Sequence, residues 1–427
     1  MRTTLKLAAL AILLVASPAW GQFTAPIRYN EGPGVKLGDR VVFHPGIALE
    51  GRYDSNVLFT ESAPAGAGYL RIIGHLDLST LPPQRLTDGD GVVYKPTVEF
   101  RTKAALSYRE YLNGNDNVKA QRAFEVDAGL MLALFPRSVF SFDVSDDFAR
   151  TVTGRYQETD SALARDTNRA VLRFRFAPGG GRLSFALSYG LNFDIFEDSK
   201  LAGANKIFHE IALNAKWRIL PKTAITFDAI EQIYSYYDRG AGVYSNPGLQ
   251  RNDSTPLRLY LGLVGLFTAQ LSTVLKIGYG NGFYENGASY NSVLGIAEVG
   301  YQFTPTAKAK LGFEHSFQDS SVFANYYTDE NVYLGYDHLI AQRVLLHLQL
   351  DYRYRKYQGI PAAVSGEVAQ HLASVSLGAD YQIKEWVYVG LGYDLLLQNR
   401  ISGPTTSFAF APSFTKHQVF GKIGFSY

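Results

Sequence analysis

The segment from His417 to Tyr427 reads HQVFGKIGFSY. Val419, Gly421, Ile423, Phe425 and Tyr427 fall on one face of an extended chain, and Phe420, Lys422, Gly424 and Ser426 fall on the other. That two-residue alternation is the period of a β-strand. A terminal strand must pair both edges or leave one as a template for aggregation. An apolar face ending in aromatics, on a chain that opens with an export signal, predicts a strand that closes a barrel in a membrane. The competing reading is the last strand of a soluble sandwich. The rest of the sequence decides between them.

Residues 1–21 carry the marks of a secretory signal: Arg2 and Lys6, an apolar run from Leu7 to Val15, and small residues at Ala19 and Gly21. Cleavage is expected before Gln22. The apolar run is too short to span a bilayer, and no later run reaches the length of a transmembrane helix. The 427 residues include no cysteine, which excludes a lipidated cysteine, disulfides and thiol chemistry. A net charge of +2 gives no electrostatic case for nucleic acid. The 28 Tyr, 27 Phe and 40 Gly fit aromatic girdles on alternating strands. Residues 22–42 are polar and broken by Pro26, Gly32, Pro33 and Gly34, so they read as a loose periplasmic lead-in, with the barrel at 43–427.

From Phe43 onward the chain is a series of alternating segments. Leu183, Phe185, Leu187, Tyr189, Leu191 and Phe193 are interleaved with small or polar residues, as are Phe124, Val126, Ala128, Leu130, Leu132 and Leu134. Val344, Leu346, Leu348, Leu350, Tyr352 and Tyr354 alternate with Leu345, His347, Gln349, Asp351, Arg353 and Arg355. A helix needs spacings of three and four, which these runs lack. There are about 18 such segments, most of them long enough for a tilted strand to cross a bilayer. Those near residues 229 and 334 alternate poorly.

The connectors sort into two kinds. Short ones, such as Phe135-Pro136-Arg137, Pro178 to Gly181, Leu220-Pro221-Lys222 and Thr304-Pro305-Thr306, alternate with long polar ones, such as residues 112–121, 195–204 and 237–254. One exception, residues 80–95, puts a longer connector in a short slot. A soluble sandwich has no reason to sort its loops this way. Short periplasmic turns and long extracellular loops are the pattern of an outer-membrane barrel. The fold expected is all-β: a transmembrane antiparallel up-and-down barrel of about 18 strands in the bacterial outer membrane. Residues 240–252 then belong to a loop outside the cell.

The apolar face of each strand must meet lipid, which offers no partner to a polar side chain. Trp217, Tyr301, Phe303 and Tyr381 lie on that face near short turns, as an interfacial girdle would. The opposite face carries Arg52, Arg101, Lys103, Arg173, Arg175, Lys216, Arg218, Lys308, Lys310, Asp351, Arg353 and Arg355. These are the expected lumen-lining residues. Buried dry and unpaired, each would cost several kcal/mol. A barrel of this size holds water instead. For any single residue the plainer reading is a paired ladder that stiffens the wall.

Catalytic and metal patterns are missing. His209-Glu210 lacks the second histidine of a zinc-protease helix, Ser188-Tyr189-Gly190 is no nucleophile elbow, and the glycines of residues 278–282 lead into no helix. Asp143, Asp146 and Asp147 read as a solvated strand end rather than a calcium site. Neither an enzyme nor a cofactor is expected.

Phe43-His44-Pro45-Gly46-Ile47 followed by Gly51-Arg52-Tyr53-Asp54-Ser55-Asn56-Val57 resembles the opening strand and loop of a family of outer-membrane β-barrel porins associated with exopolysaccharide export loci. The ending in Phe425 and Tyr427 is similar to the C-terminal signal of outer-membrane barrels, although Lys422 stands where that signal usually has glycine. The first resemblance implies a large barrel that lets a secreted polysaccharide out of the cell, as similar myxobacterial barrels are thought to do. Its implied partners are periplasmic polysaccharide export or copolymerase proteins, beside the outer-membrane lipid and the barrel assembly machinery that any such barrel meets. The alternatives are a general diffusion porin for small polar solutes, a structural or binding barrel plugged by its loops, and a barrel enzyme that no motif supports.

The face assignment is testable on the strand around residues 343–357. Leu348→Arg, on the lipid face, should cost roughly 2–4 kcal/mol or block assembly, while Gln349→Arg should leave folding nearly unchanged. Equal tolerance of both in a heat-modifiable mobility assay would reverse the faces.

Overall fold

The computed structural model describes residues 32–80, 97–152, 164–245, 250–320, 324–358, 368–402 and 413–427. The signal segment and most of the 80–95 connector fall outside these residues. Strands follow one another along the chain: β1 (Val35–Leu37), β2 (Val41–Asp54), β3 (Ala67–Thr80), β4 (Val98–Tyr111), β5 (Ala123–Leu134) and β6 (Phe140–Thr151). Next come β7 (Arg165–Phe176), β8 (Leu183–Phe196), β9 (Lys206–Leu220), β10 (Thr223–Tyr236), β11 (Leu257–Leu266), β12 (Leu271–Asn281) and β13 (Asn291–Thr304). The last six are β14 (Ala307–Asp319), β15 (Tyr326–Ile340), β16 (Val344–Gln358), β17 (Val368–Lys384), β18 (Val387–Ser402) and β19 (Phe414–Ser426).

From β2 to β19 each strand pairs antiparallel with the next, and β19 pairs back onto β2 from Gln418↔Asp54 to Ser426↔Gly46. The result is a closed antiparallel barrel of 18 strands. The two poorly alternating segments are β10 and β15, and both pair along their length.

Strand alternation sets the two faces. Along β3, exposed Leu70, Ile72 and Leu76 alternate with buried Tyr69, Arg71, Ile73, His75 and Asp77. Which face looks inward follows from the buried ion pairs that skip a strand, because side chains converge on the concave side of the wall and are enclosed there. Arg52 of β2 reaches Asp394 of β18 at 3.2 Å, and Arg71 of β3 reaches Glu125 of β5 at 2.7 Å. The exposed apolar rows therefore form the outer belt. Leu348 shares its row with exposed Leu350 and Tyr352, while Gln349 shares the inner row of Asp351 and Arg353. Trp217, Tyr301, Phe303 and Tyr381 stand on the outer belt at the short-turn end. A closed ladder with an apolar belt is what a bilayer accepts, and the chain is an outer-membrane barrel.

Two local departures from the sequence reading have physical causes. Of the lead-in expected over 22–42, residues 22–31 lie outside the described residues, and in the remainder β1 pairs Val35↔Phe43 to Leu37↔Val41, with Gly34 (φ +76°) where any Cβ would strike the side chains of Val42 and His44. The connector between β15 and β16 is three residues, Ala341 to Arg343, of which Ala341 (φ 47°) and Gln342 (φ 56°) are left-handed, with the Arg343 amide donating to the Ile340 carbonyl at 3.0 Å. A left-handed pair matches the twist of a tight hairpin, but neither residue advertises it.

The stretch Asp54-Ser55-Asn56 lengthens the closing seam. The Ser55 amide donates to the His417 carbonyl at 2.9 Å, the His417 amide donates to the Ser55 hydroxyl at 2.8 Å, and the Asn56 amide donates to Asp54 Oδ1 at 2.9 Å. At the other end of β19 the Tyr427 amide donates to the Pro45 carbonyl at 3.0 Å. Deleting Gly424 to Tyr427 removes the pairing of β19 with Ile47 and its neighbours, so the protein should disappear from the outer membrane. Tyr427→Ala should lower its abundance there. Outer-membrane fractionation with heat-modifiable gel mobility reads both, and normal mobility after the deletion would refute the closure argument.

Candidate channel interior

The inner wall divides into a wet half and a packed half. Near the short turns several charged side chains are solvated: Lys308 is 68% exposed and Arg101 46%, although Asp77, Lys422 and Asp380 are enclosed there. Toward the long loops they are enclosed: Lys206 is 1% exposed and Asp319 0%.

The enclosure is built by loops that turn inward. The 3-10 turns Ser199–Ala204 and Gly242–Tyr244 meet, with Tyr244 packed where a Cβ on Gly203 would stand. An apolar cluster then joins Phe196 of β8, Leu201, Ala204 and Tyr244 to Ala324, Tyr327 of β15, Tyr357 of β16 and Val368 of β17. These strands stand on opposite sides of the ring, so the cluster crosses the mouth. Residues 240–252, expected outside the cell, thus contribute a fully buried tyrosine and a buried Arg251 to the interior.

Beside the apolar bridge lies a polar one centred on Asp319, at the end of β14. Its carboxylate accepts from the hydroxyls of Tyr236 and Tyr284, the latter at 2.9 Å, and lies 3.5 Å from Lys206 Nζ and 3.6 Å from Arg251. Arg251 also donates to the Tyr236 hydroxyl at 3.0 Å and to the carbonyls of Ser320 and Ala324. One carboxylate therefore ties β9, β10, the segment before β11, the loop before β13 and the end of β14 together. Desolvation of an ion costs several kcal/mol, so a buried group of this kind persists only when nearly all its partners are in place.

The residues expected to line the lumen all lie on inward rows, but they form no single site. Arg52 is in the seam, bonded to Glu50 at 3.1 Å and to Gln418 at 2.9 Å, with its guanidinium 4.1 Å from the Phe420 ring centroid. Arg101 pairs with Asp77 at 2.7 Å, Lys103 with Asp127 at 3.2 Å, and Lys308 with Asp337 at 3.6 Å. Arg353 bridges Asp351 and Asp329, each at 2.9 Å, and Arg355 stacks on Tyr327 at 4.0 Å. Arg218 caps the turn carbonyls of Gly180 and Gly181 at 2.5 and 2.8 Å. Among the described residues Arg173, Arg175, Lys216 and Lys310 form no ion pair, and Lys310 lies 5.5 Å from the Tyr333 ring centroid. Asp143 and Asp147 share the inner row of β6 while Asp146 faces outward and accepts from Asn168 at 2.9 Å, so the three carboxylates do not converge.

The Asp319 and Tyr244 assemblies were invisible in the sequence. Lys206 and Asp319 are 113 residues apart, and nothing local marks either as a partner. The one available signal was the aromatic content of the long connectors, such as Tyr244 and Tyr284, which suits a packed core better than a solvated loop.

No family model matches the chain, and no curated protein matches it. Solved structures do. The outer membrane protein OpdK from Pseudomonas aeruginosa is 11% identical with a TM-score of 0.46, and covers 90% of this chain and 99% of its own. OccAB3 from Acinetobacter baumannii is also 11% identical, with a TM-score of 0.45 over the same shares. The siderophore receptor PirA from Pseudomonas aeruginosa gives 10% and 0.42, over 92% of this chain and 81% of its own. By its own geometry the chain is a porin-like outer-membrane barrel.

Asp319→Ala tests the polar bridge. The change leaves buried Lys206 and Arg251 without their carboxylate and should cost about 3–5 kcal/mol. Trypsin should then reach Arg251, and single-channel conductance should rise, while the barrel keeps its heat-modifiable mobility. Unchanged conductance and unchanged proteolysis would show that Asp319 does not hold the mouth.

Proposed function

We propose that the barrel is a diffusion channel for small polar solutes, with a hydrated vestibule open to the periplasm and a mouth restricted by its own loops. The observation that carries this reading is the contrast between solvated Lys308 and Arg101 below and enclosed Lys206 and Asp319 above. A wall lined with charges favours polar solutes, because an apolar one gains nothing there. Arg173, Arg175, Lys216 and Lys310, which are in no ion pair among the described residues and share only Asp143 opposite Arg173, tilt the vestibule toward anions. A leader at residues 1–21 and insertion by the barrel assembly machinery belong to the same proposal. No catalytic step does.

Polysaccharide export remains the finer reading, and what supports it is the sequence around Pro45-Gly46 and Tyr53 to Asn56. A polymer would need the bridges at Tyr244 and Asp319 to part, through the periplasmic export or copolymerase proteins that the resemblance implies. A plugged structural barrel predicts no conductance at all.

Planar bilayers separate these cases. The channel reading predicts conducting steps with a mild anion preference in a KCl gradient. The triple change Arg173→Ser, Arg175→Ser and Lys216→Ser should lower the anion-to-cation permeability ratio by about twofold. A folded barrel that never conducts would remove the passive channel, and an unchanged reversal potential would remove the charge argument.

A further inference from the structure

The outer belt carries a repeated polar pair that no transport role uses. Tyr189 of β8 lies opposite Ile211, and its hydroxyl reaches the residue two before, His209, at 2.7 Å from Nδ1. Tyr352 of β16 lies opposite Ala373, and its hydroxyl reaches His371 Nδ1 at 2.7 Å. Tyr393 of β18 lies opposite Val419, and its hydroxyl reaches His417 Nδ1 at 2.9 Å. The same diagonal recurs in β12 and β13, where the Tyr279 hydroxyl donates to Asn291 Oδ1 at 2.7 Å. Each histidine lies near the start of a strand that descends from the long loops, just above the apolar row of its own strand: Ile211 and Leu213, Val375 and Leu377, Val419 and Ile423. The three pairs thus stand in the extracellular part of the apolar belt, with exposed Leu191, Ile207 and Leu397 beside or just above them.

We propose that these tyrosine–histidine pairs form a girdle of hydrogen-bond donors for phosphate on the headgroups of the outer-leaflet lipid. In the tautomer in which Nδ1 accepts the tyrosine hydroxyl, the ring proton resides on Nε2, the nitrogen at the far side of the ring, and the proposed donor role rests on that tautomer. An ordinary aromatic girdle needs only an amphipathic ring. Here each tyrosine spends its hydroxyl on fixing an imidazole instead, and the geometry is repeated in hairpins at separate places around the ring. A bilayer whose outer edge lies at this level presents its headgroups to the pairs. The strongest acceptors among them are phosphate oxygens, and a hydrogen bond to a charged acceptor is about twice as strong as one between neutral groups.

The test titrates the full-length barrel in maltoside micelles with diphosphoryl lipid A and with lipid A stripped of both phosphates. Retention of lipid on the purified protein and the shift in its thermal transition are both read. The wild type should prefer the diphosphoryl form. His209→Phe, His371→Phe and His417→Phe together should weaken that binding by about tenfold, since the three lost bonds need supply only 1.4 kcal/mol between them. Tyr189→Phe, Tyr352→Phe and Tyr393→Phe together keep the imidazoles but free their tautomer, and should give a smaller loss of the same sign. Heat-modifiable mobility confirms that each variant is folded. Equal wild-type binding to the stripped lipid would assign the girdle to sugar hydroxyls and overturn the phosphate proposal. Unchanged affinity in the folded histidine variant would overturn it outright.

Discussion

Hydrogen bonding of the backbone governs this molecule. In the hydrocarbon an unpaired amide or carbonyl costs several kcal/mol and has no water to turn to, so the ladder must close. The closure between β19 and β2 runs from Gln418↔Asp54 to Ser426↔Gly46, and its flanks add further bonds. Ser55 and Asn56 carry the pairing past the last ladder residue on one side, and the Tyr427 amide adds a bond at the other. On the inside, Arg52 fastens the joint by bonding to groups on β2, β18 and β19 at once. The sequence that resembles a porin opening is therefore, in physical terms, the closing joint of the barrel.

Closure explains why so much of the architecture could be read from one chain. A closed sheet between lipid and water has one apolar and one polar face, so every strand must alternate with period two. Short turns and long loops must also fall on opposite rims. Those constraints are local in sequence and repeat with every hairpin. Leu348 and Gln349 could be assigned to opposite faces for this reason alone. What escaped reading were features set by contacts between distant residues or by backbone geometry without a marker. Ala341 and Gln342 adopt left-handed conformations without a glycine or asparagine between them. Phe196, Tyr244, Tyr327 and Tyr357 meet only after the ring has closed. Alternation also says nothing about whether a lumen charge stands in water or is sealed, so Arg101 and Arg355 looked alike and differ in kind.

That difference has energetic weight. In the wet half, ion pairs such as Lys103 with Asp127 and Asp147 are screened, and each contributes about 0–1 kcal/mol. They can be rearranged or lost without disturbing the wall. In the packed half, Asp319, Lys206 and Arg251 have given up their hydration, and their mutual contacts must offset that cost. The two halves are therefore suited to different work. The lower wall can vary its charge pattern without disturbing the fold. The upper wall holds one arrangement as a unit.

A mouth held partly by charges also behaves differently from one held by apolar contact alone. Separating Tyr244 from Tyr327 and Tyr357 exposes apolar surface to water, and nothing in the open state compensates for it. Separating Asp319 from Lys206 and Arg251 loses attraction but returns three ions to full hydration, so much of the loss is recovered. The hydroxyls of Tyr236 and Tyr284 likewise exchange a carboxylate for water. The polar bridge thus lowers the cost of the parted state relative to an apolar plug of the same extent, while the shared carboxylate keeps the closed state specific. A mouth built from both kinds of contact, side by side, is narrowed by two joints that differ in the cost of parting. Most of the resistance to its opening then resides in the apolar bridge around Tyr244, and the Asp319 network determines which closed arrangement the loops return to.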